Sequence, residues 1–406
     1  MNKQTIAVFF GGMAPEHDVS IITGIQAMYA IDSTKYDFFP VYIDQKGNWW
    51  TGSPLLDKRS YHFSEKAKKR RLRQVKLPVG QFFDHNNRSY LREVGCVFKG
   101  RKLYFDVALL AFHGCVGEDG LIQGALDSVG ATYTGCRPLA SSIFMNKKIT
   151  KDTARKEGIN VLDELIIKQS KKGKTDIKKI LKDMPFKFPI CVKPCNLGSS
   201  VGVYKVTKKE SLENIILELF ELDNEIIIEP FVENLVEYNV SVLRDSSGVI
   251  KFSAIEKPFR KGGEFLNFKE KYMSGGKAGG KLESKLFMPI SEGMASATRE
   301  FNPKLSTKQK NSIIEGASKI FEAVNGNGAP RIDFLSDKKT GEIWFNEVNP
   351  IPGSLAYYLW EMGDKKNKMS FSELVDRLIQ EAFEERNKVK RDFDLSNTKS
   401  SIFDNA

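Results

Sequence analysis

The sequence predicts a mixed α/β and α+β protein that opens with an open α/β sheet. Two observations carry this. Apolar strand-like runs alternate with helical periodicity up to about residue 136. Beyond it, strand-like segments follow one another with fewer intervening helices, and an amphipathic helix closes the pattern.

At 406 residues the chain can bury a sizeable core and divide into two or three domains. Its 41% hydrophobic and 28% charged residues are ordinary for a soluble globular protein. No apolar run is long enough to span a bilayer, so no membrane partner is expected. The N-terminus runs straight into a strand-like segment without a signal-peptide pattern. Five scattered cysteines, an odd number, suit a reduced cytoplasmic setting; Cys191 and Cys195 lack companion ligands at zinc spacing.

"TIAVFFGG" reads as a buried strand ending in a glycine turn, "PEHDVSIITGIQAMYAI" as a helix and "YDFFPVYID" as a second strand. The net charge of +11 owes much to "KAKKRRLRQVK" (Lys66 to Lys76), which reads as a solvated insertion. It lacks the repeated aromatic platforms of a single-strand binder and any helix-turn-helix pattern, so no nucleic-acid partner is expected. A basic surface would still draw in an anionic nucleotide. "FDVALLAFHG" reads as a third strand, "LIQGALDSVG" as a helix and "ATYTG" as a short strand. The loops "GGMAPEHD" and "HGCVGEDG" then lie at carboxyl ends of strands, where open α/β sheets usually bind ligands.

Four units are expected: residues 1–136, 137–230, 231–388 and a polar tail 389–406. In the second, "LASSIFMNKKITKDTARKEGI" is helical, and "FPICVKPCNLGSSVGVYKV" is two strands joined by a small-residue loop. "SLENIILELFEL" is an amphipathic helix and "EIIIEPFV" a strand. The third unit holds "EYNVSVLRD", "FSAIEKPF", a glycine- and lysine-rich excursion (Phe259 to Lys285) and a helix near Lys308 to Val324. "APRIDFLSD", "EIWFNEVNP" and the closing helix "FSELVDRLIQEAFEER" complete it.

Three stretches bear candidate chemistry. In "VKPCNLGSSVGV", Lys193 leaves a strand beside Gly198, Ser199, Ser200 and Gly202, a loop whose backbone N–H groups can approach an anion. The spacing excludes a Walker P-loop, and a plain hairpin with small turn residues fits equally. In "IIIEPFVENLVEYNV", Glu229 ends one strand and Glu237 opens the next, as an adenine-reading edge and a ribose-holding carboxylate would. In "PRIDFLSD" and "FNEVNPIPG", Asp333, Glu347 and Asn349 are hard oxygen ligands on neighbouring strands, suited to Mg²⁺. Residues two apart on a strand share a face, so Glu347 and Asn349 are expected to point together, with Arg331 beside Asp333. The four histidines form no metal set; His113 stands at a ligand-binding edge.

Taken in order and spacing, "FFGGMAPEHDVS", "AFHGCVGEDGLIQGALDSVGATYTG", "MNKKITKDTARKEGI", "VKPCNLGSSVGVYKV", "EYNVSVL", "KEKY", "RIDF" and "NEVNPIPG" resemble the D-alanine–D-alanine ligase family of ATP-grasp enzymes. The resemblance runs from Thr5 to about Glu385. It implies an ATP-grasp fold and an ATP-dependent carboxylate–amine ligase acting on amino-acid substrates through an acyl phosphate. It also implies two Mg²⁺ ions (Mn²⁺ being an alternative), a role in peptidoglycan precursor synthesis, and a homodimer. By the same resemblance Lys147, Lys193 and Lys271 contact ATP phosphates, Glu229, Pro230, Phe231 and Val232 hold adenine, and Glu237 holds ribose. Asp333, Glu347 and Asn349 carry metal. Glu16 faces the first substrate's amino group, with Ser199 and Tyr272 beside it and His113 nearby. Arg331 and the Gly353 N–H stabilise the oxyanion, and the segment around "KEKYMSGGKAGG" is the lid.

Three departures from the family pattern stand out. Asn146 replaces an aspartate. The lid is unusually rich in glycine and lysine. Leu355 and Tyr358 occupy the places of a threonine and of a serine that holds the second substrate's carboxylate, leaving Ser354 as another candidate for that contact. The activating half of the reaction looks intact and the acceptor site altered. A same-fold ligase with another acceptor is therefore the first alternative. A non-catalytic nucleotide- or nucleic-acid-binding protein is the second, opposed by Lys193, Arg331, Asp333, Glu347 and Asn349 standing together.

Overall fold

The computed structural model describes residues 3–79, 88–95, 100–169, 180, 182–198, 201–259 and 299–389. Its first sheet has the order β6-β5-β4-β3-β2-β1-β7. The strands are β1 (Gln4–Gly11), β2 (Tyr36–Ile43), β3 (Trp49–Thr51), β4 (Arg73–Lys76), β5 (Ser89–Glu93), β6 (Lys102–Phe105) and β7 (Val107–Leu110). β1 is parallel to both β2 and β7, and the remaining pairs are antiparallel. Ile6 to Phe10 are fully buried, the continuous apolar run expected of a strand covered on both faces. Helix α1 (His17–Ala30) packs on β1, and the chain leaves β1 and β7 toward opposite neighbours. Their carboxyl ends therefore flank a topological switch point, and the loops starting at Gly11 and Ala111 open there.

Three expectations need correction here. "FDVALLAFHG" is not one strand. Asp106 breaks it, its carboxylate accepting from the Thr5 N–H at 2.7 Å, so β6 and β7 lie on opposite edges of the sheet. "ATYTG" keeps only an isolated bridge between Ala108 and Tyr133. The basic insertion is more than solvated chain. It forms helix α2 (Glu65–Arg71) and β4, with Leu72 and Val75 in the core and Lys68 buried 3.6 Å from Asp44.

The segment "LASSIFMNKKITKDTARKEGI" is two helices. After α3 (Leu121–Asp127), α4 (Pro138–Met145) ends at Asn146, which caps α5 (Lys147–Lys156) by accepting from the Ile149 N–H at 2.9 Å. The Asn146 amide also donates to the Asn196 side chain at 2.8 Å, a bond an aspartate could not make.

The second sheet, β10-β9-β11-β8, is antiparallel: β8 (Leu165–Lys168), β9 (Ile190–Pro194), β10 (Tyr204–Val206) and β11 (Glu225–Pro230). Helix α6 (Leu212–Leu219) sets Leu212, Ile216 and Leu219 into its core at helical spacing.

The third sheet runs β15-β14-β12-β16-β17, with β13 paired to β12. Its strands are β12 (Leu235–Arg244), β13 (Ile250–Phe252), β14 (Glu256–Pro258), β15 (Arg299–Phe301), β16 (Arg331–Asp337) and β17 (Ile343–Asn349). Helix α7 (Thr307–Ala323) starts at a capping box made by Ser306 and Gln309 and packs on β12 and β17. Short helix α8 (Tyr357–Glu361) leads to the closing helix α9 (Phe371–Val389). That helix carries Leu374, Val375, Leu378 and Ile379 into the core of the first sheet.

Glu381 on α9 is buried in this junction. One oxygen accepts from the Gly328 N–H at 2.7 Å, and the other has no hydrogen-bond partner. Burial pushes its carboxyl from 4.5 up to about 8, so the fold favours the protonated form. That contribution to stability is intact below pH 4.5 and is lost as the pH rises through 8. Glu381→Gln is accordingly expected to melt a few degrees above the wild type at pH 9 and level with it at pH 5. Thermal unfolding at the two pH values checks this; equal curves at both would show that Glu381 is ionised without cost.

Candidate active site

Two clefts meet in the space enclosed by the three sheets. The larger, about 840 Å³ and partly open to solvent, lies between the second and third sheets. Lys147, Lys193, Glu229 to Val232, Glu237 and Glu347 all line it. The smaller, about 450 Å³, lies against the switch point of the first sheet and is lined by Glu16, His113, Glu118, Asn349 and Gly353, among others. Lys147, Leu197 and Glu347 border both, so the two spaces adjoin.

The floor of the larger cleft is a buried ion triad. Glu229 accepts from Lys193 at 2.7 Å on one oxygen and pairs with Lys151 through the other. Burial raises a carboxyl, but the two lysines overcome it and hold Glu229 down at about 2. Burial likewise works against the Lys193 ammonium, and Glu229 more than offsets it. Both Glu229 carboxylate oxygens are thus engaged by lysines, while Glu229, Pro230, Phe231 and Val232 line the cleft as one strand end. Lys151 went unnoticed in the sequence, although it lies one helical turn after Lys147 and so shares its face.

Strand β17 carries the irregularity that builds the ligand wall. Its register against β16 shifts between Asp333 and Phe334, so Asp333 pairs with Glu347 while Phe334 pairs with Phe345. Asn346 is the extra residue of this bulge. Phe345 and Val348, three apart, therefore both enter the core, while Asn346 and Glu347 both line the nucleotide-sized cleft. Asn346 accepts from Lys193 at 3.1 Å, and Glu347 pairs with Lys147 at 3.2 Å. The Asn349 amide donates to Asp333 at 3.1 Å. Arg331 grips Asp333 through two parallel bonds of 2.7 Å. Burial is the main reason the Asp333 carboxyl is pushed up to about 6; Arg331 opposes it, and Glu237 and Glu347 add to it. Glu237 and Glu347 line the larger cleft and their charges reach Asp333, an oxygen-only donor set of the kind a hard divalent cation takes. Among the described residues no three or more His, Cys, Asp or Glu side chains gather as a metal site. A cation there would depend on the Asn349 carboxamide and on ligand oxygens besides Asp333 and Glu347.

The smaller pocket is acid-lined. Glu16 precedes α1 and is buried. Gly114, at φ +74°, lies so close that a Cβ there would come within 2.4 Å of a Glu16 oxygen. Glu118 accepts from the Gly114 N–H at 2.6 Å and the Ile351 N–H at 3.0 Å, and burial pushes its carboxyl up to about 8. His113 borders the pocket, but its ring is occupied. Nε2 lies 2.7 Å from the Thr23 hydroxyl, and the ring also hydrogen-bonds the Ile351 backbone. Burial pushes it down to about 4, so it is neutral. Thr23 in turn accepts from the Ser354 N–H at 3.0 Å. His113 and Glu118 thereby clamp the turn that places Gly353 while both border the smaller pocket.

After Gly353 the backbone makes a turn that sequence reasoning missed. Ser354, Leu355 and Ala356 all have φ near +53°, a single left-handed turn without glycine. Each such residue costs roughly 1–2 kcal/mol, which the Thr23 bond and the burial of Leu355 and Ala356 offset. The turn carries Tyr358 away from the smaller pocket. Its hydroxyl lies 3.3 Å from a Glu256 oxygen, and Arg299, paired with Glu256 at 2.7 Å, sits 4.7 Å over its ring. Neither Ser354 nor Tyr358 lines the smaller pocket, and Tyr358 stands with Glu256 and Arg299. Ser199, Lys271, Tyr272 and residues 260–285 of the expected lid lie outside the described residues.

The family model described as D-ala D-ala ligase N-terminus matches residues 5–136, and that described as D-ala D-ala ligase C-terminus matches 154–380. The chain belongs to the D-alanine–D-alanine ligase family. It is 34% identical over 383 residues to the D-alanine–D-alanine ligase of Thermosipho africanus, covering 93% of each chain. It is 31% identical over 397 residues to that of Chlorobaculum tepidum, covering 95% of this chain and 98% of that one. Among solved structures it resembles the VanG D-Ala:D-Ser ligase from Enterococcus faecalis with TM-score 0.72 and 25% identity, over 94% of this chain and 100% of that one. The ligase from Helicobacter pylori matches with TM-score 0.69 and 26% identity, over 93% and 99%. The fold is that of the ATP-grasp ligases, as the sequence resemblance implied. As a D-alanine–D-alanine ligase family member, the chain departs from the pattern at Leu355 and Tyr358. Both are buried, and Tyr358 belongs to the Glu256–Arg299 cluster described above.

Proposed function

We propose that this protein is an ATP-dependent D-alanine–D-alanine ligase of peptidoglycan precursor synthesis. The observation that carries the reading is the shared border of Lys147, Leu197 and Glu347 between a nucleotide-sized cleft and a small acid-lined pocket. A γ-phosphate in the first would meet a carboxylate held in the second. Glu16 receives the ammonium of the first D-alanine, and Arg331 and Lys147 draw its carboxylate toward the cleft. Lys193 and Lys147 hold the nucleotide's phosphates, the strand edge at Pro230, Phe231 and Val232 holds adenine, and Glu237 holds ribose. Asp333, Glu347 and Asn349 would hold Mg²⁺, or Mn²⁺, which supplies charge neutralisation to the phosphate oxygens. The carboxylate oxygen attacks the γ-phosphorus and ADP leaves, giving an acyl phosphate. The amine of the second D-alanine then attacks the acyl carbon. Arg331 and the Gly353 N–H receive the oxyanion, phosphate departs, and the amine's surplus proton is released. Ser199, Lys271 and Tyr272 enter this scheme through the family resemblance alone. The three units 1–136, 137–230 and 231–388, a cytoplasmic location and a homodimer complete the proposal. No helix among the described residues is long and apolar enough to cross a membrane.

The test is an ADP-release screen over pairs of D- and L-amino acids and hydroxy acids, with products weighed by mass spectrometry. Release with D-alanine pairs and a D-alanyl-D-alanine product supports the reading; no ADP release with any pair overturns it.

A second reading, a ligase of the same kind with another acceptor, is favoured by Tyr358 standing where the family places a serine. The Tyr358 hydroxyl satisfies Glu256, so its loss would loosen Glu256 and Arg299 behind Arg331. Tyr358→Phe is expected to lower acceptor kcat/KM about tenfold, with the KM for ATP unchanged, since one hydrogen bond to a charged group is worth roughly 1.5–3 kcal/mol. Tyr358→Ser is expected to shift the preference among acceptors. Unchanged kcat/KM across several acceptors would remove Tyr358 from acceptor selection.

A further inference from the structure

The Lys151–Glu229–Lys193 triad is more than a structural ion pair, and its reasoning rests on the larger cleft being the nucleotide site. Lys151 is 1% exposed and Glu229 2% on their side chains, and Lys193 is 7% exposed. Lys151 reaches Glu229 from α5 on the side away from the cleft lining, and its ammonium also donates to the Leu162 carbonyl at 3.3 Å. Lys193 reaches the other Glu229 oxygen from β9 and donates to Asn346. An ammonium has three donors, and these two contacts use two of them. The next carboxylate along, Glu164, is engaged by Arg155 at 2.7 Å and does not complete the balance for Lys151.

The charge count decides what Lys151 is for. Lys193 and Glu229 alone would make a neutral buried pair, with little field to offer an anion in the cleft. Burial and Lys193 lower the Lys151 ammonium's pKa and the Glu229 contact opposes them; with Lys151 protonated, two lysines on one carboxylate leave a net charge of one positive unit under the cleft floor. The three side chains are themselves buried beneath the open cleft, and that unit is therefore weakly screened at short range. We propose that Lys151 is a positioning residue that neutralises Glu229 from beneath, so that the charge of Lys193 remains available to a nucleotide's phosphates.

The test uses calorimetric titration of the full chain with Mg-ATP and, separately, with adenosine, which has the base and ribose but no phosphate. Lys151→Met should lose roughly tenfold or more of its affinity for ATP and keep its affinity for adenosine within about twofold. Lys151→Met combined with Glu229→Gln restores the single positive unit and should recover ATP affinity to within about threefold of the wild type. Should Lys151→Met fail to fold, the double variant decides alone: near-wild-type ATP affinity supports the assignment, and a tenfold loss overturns it. Parallel losses for ATP and adenosine in Lys151→Met, or no loss of either, also overturn it. A wild-type protein that binds neither ligand overturns the nucleotide-site reading and this assignment together, whereas a wild type that binds ATP with Lys151→Met unchanged overturns this assignment only.

Discussion

Glu347→Gln is expected to abolish ligation, by roughly a thousandfold or more in kcat, while the protein stays folded. The substitution keeps the shape of the side chain and one acceptor oxygen, so the 3.2 Å contact with Lys147 has a partner to replace it. What it removes is a negative charge at the border of both clefts, beside Asp333. A neutral amide is a weaker ligand for a hard divalent cation, and the lysines around it would then face the nucleotide without their counter-ion. Glu347 is half-buried at the end of a strand whose core residues are Phe345 and Val348, so packing is untouched. ADP release and a thermal melt on the same preparation check this. A folded variant with near-wild-type turnover would show that Glu347 is not a metal ligand.

Arg331→Lys is the second large effect. Arg331 holds Asp333 with two bonds of 2.7 Å, a planar fork that one ammonium cannot reproduce. The lysine keeps the charge but not the placement. kcat is expected to fall about a hundredfold to a thousandfold, as for the loss of one oxyanion donor, with the KM for ATP changed by less than about threefold. Arg331→Met differs in kind: it leaves the Asp333 carboxylate buried without a counter-charge and with only the Asn349 amide donating to it, at roughly 3–5 kcal/mol of stability. Steady-state kinetics on the lysine variant and unfolding of the methionine variant separate the two roles. A lysine variant with unchanged kcat would confine Arg331 to holding Asp333.

Most of the architecture was legible because it follows local periodicity. β1 reads as buried from five consecutive apolar residues, and α6 and α9 read as helices from apolar residues at helical spacing. The misreadings share a physical cause, a single polar residue acting against that periodicity. Asp106 splits one apolar run by bonding across to Thr5, and Asn146 splits one helical run by capping the second half. Lys193, Glu237 and Glu347 were read from the chemistry of their strand ends and Lys147 from the family resemblance, and the structure gathers all four. Lys151, Glu118 and Glu256 were missed because each is functional only through a partner far away in sequence: Glu229, Ile351 and Arg299. The left-handed turn was invisible for a simpler reason. Ser354, Leu355 and Ala356 are not residues that ordinarily announce positive φ.

The bulge at Asn346 ties the enzyme's wall to a count of residues. Upstream of it odd-numbered positions of β17 face the core; downstream, even-numbered ones do, since Phe345 and Val348 are both inside. Deleting that one residue would restore a regular ladder, with Phe334 still opposite Phe345 and Asp333 still opposite Glu347. Glu347 would still face the cleft and Val348 the core, and the loss would be Asn346 itself with its bond to Lys193. It is closing the ladder with Asn346 kept that would turn Glu347 into hydrocarbon. A substitution scan along this strand would report a handful of sensitive positions and several tolerant ones. A deletion scan would single out Asn346 as the position whose loss keeps its neighbours on their faces, and an insertion beside it as the change that reverses them.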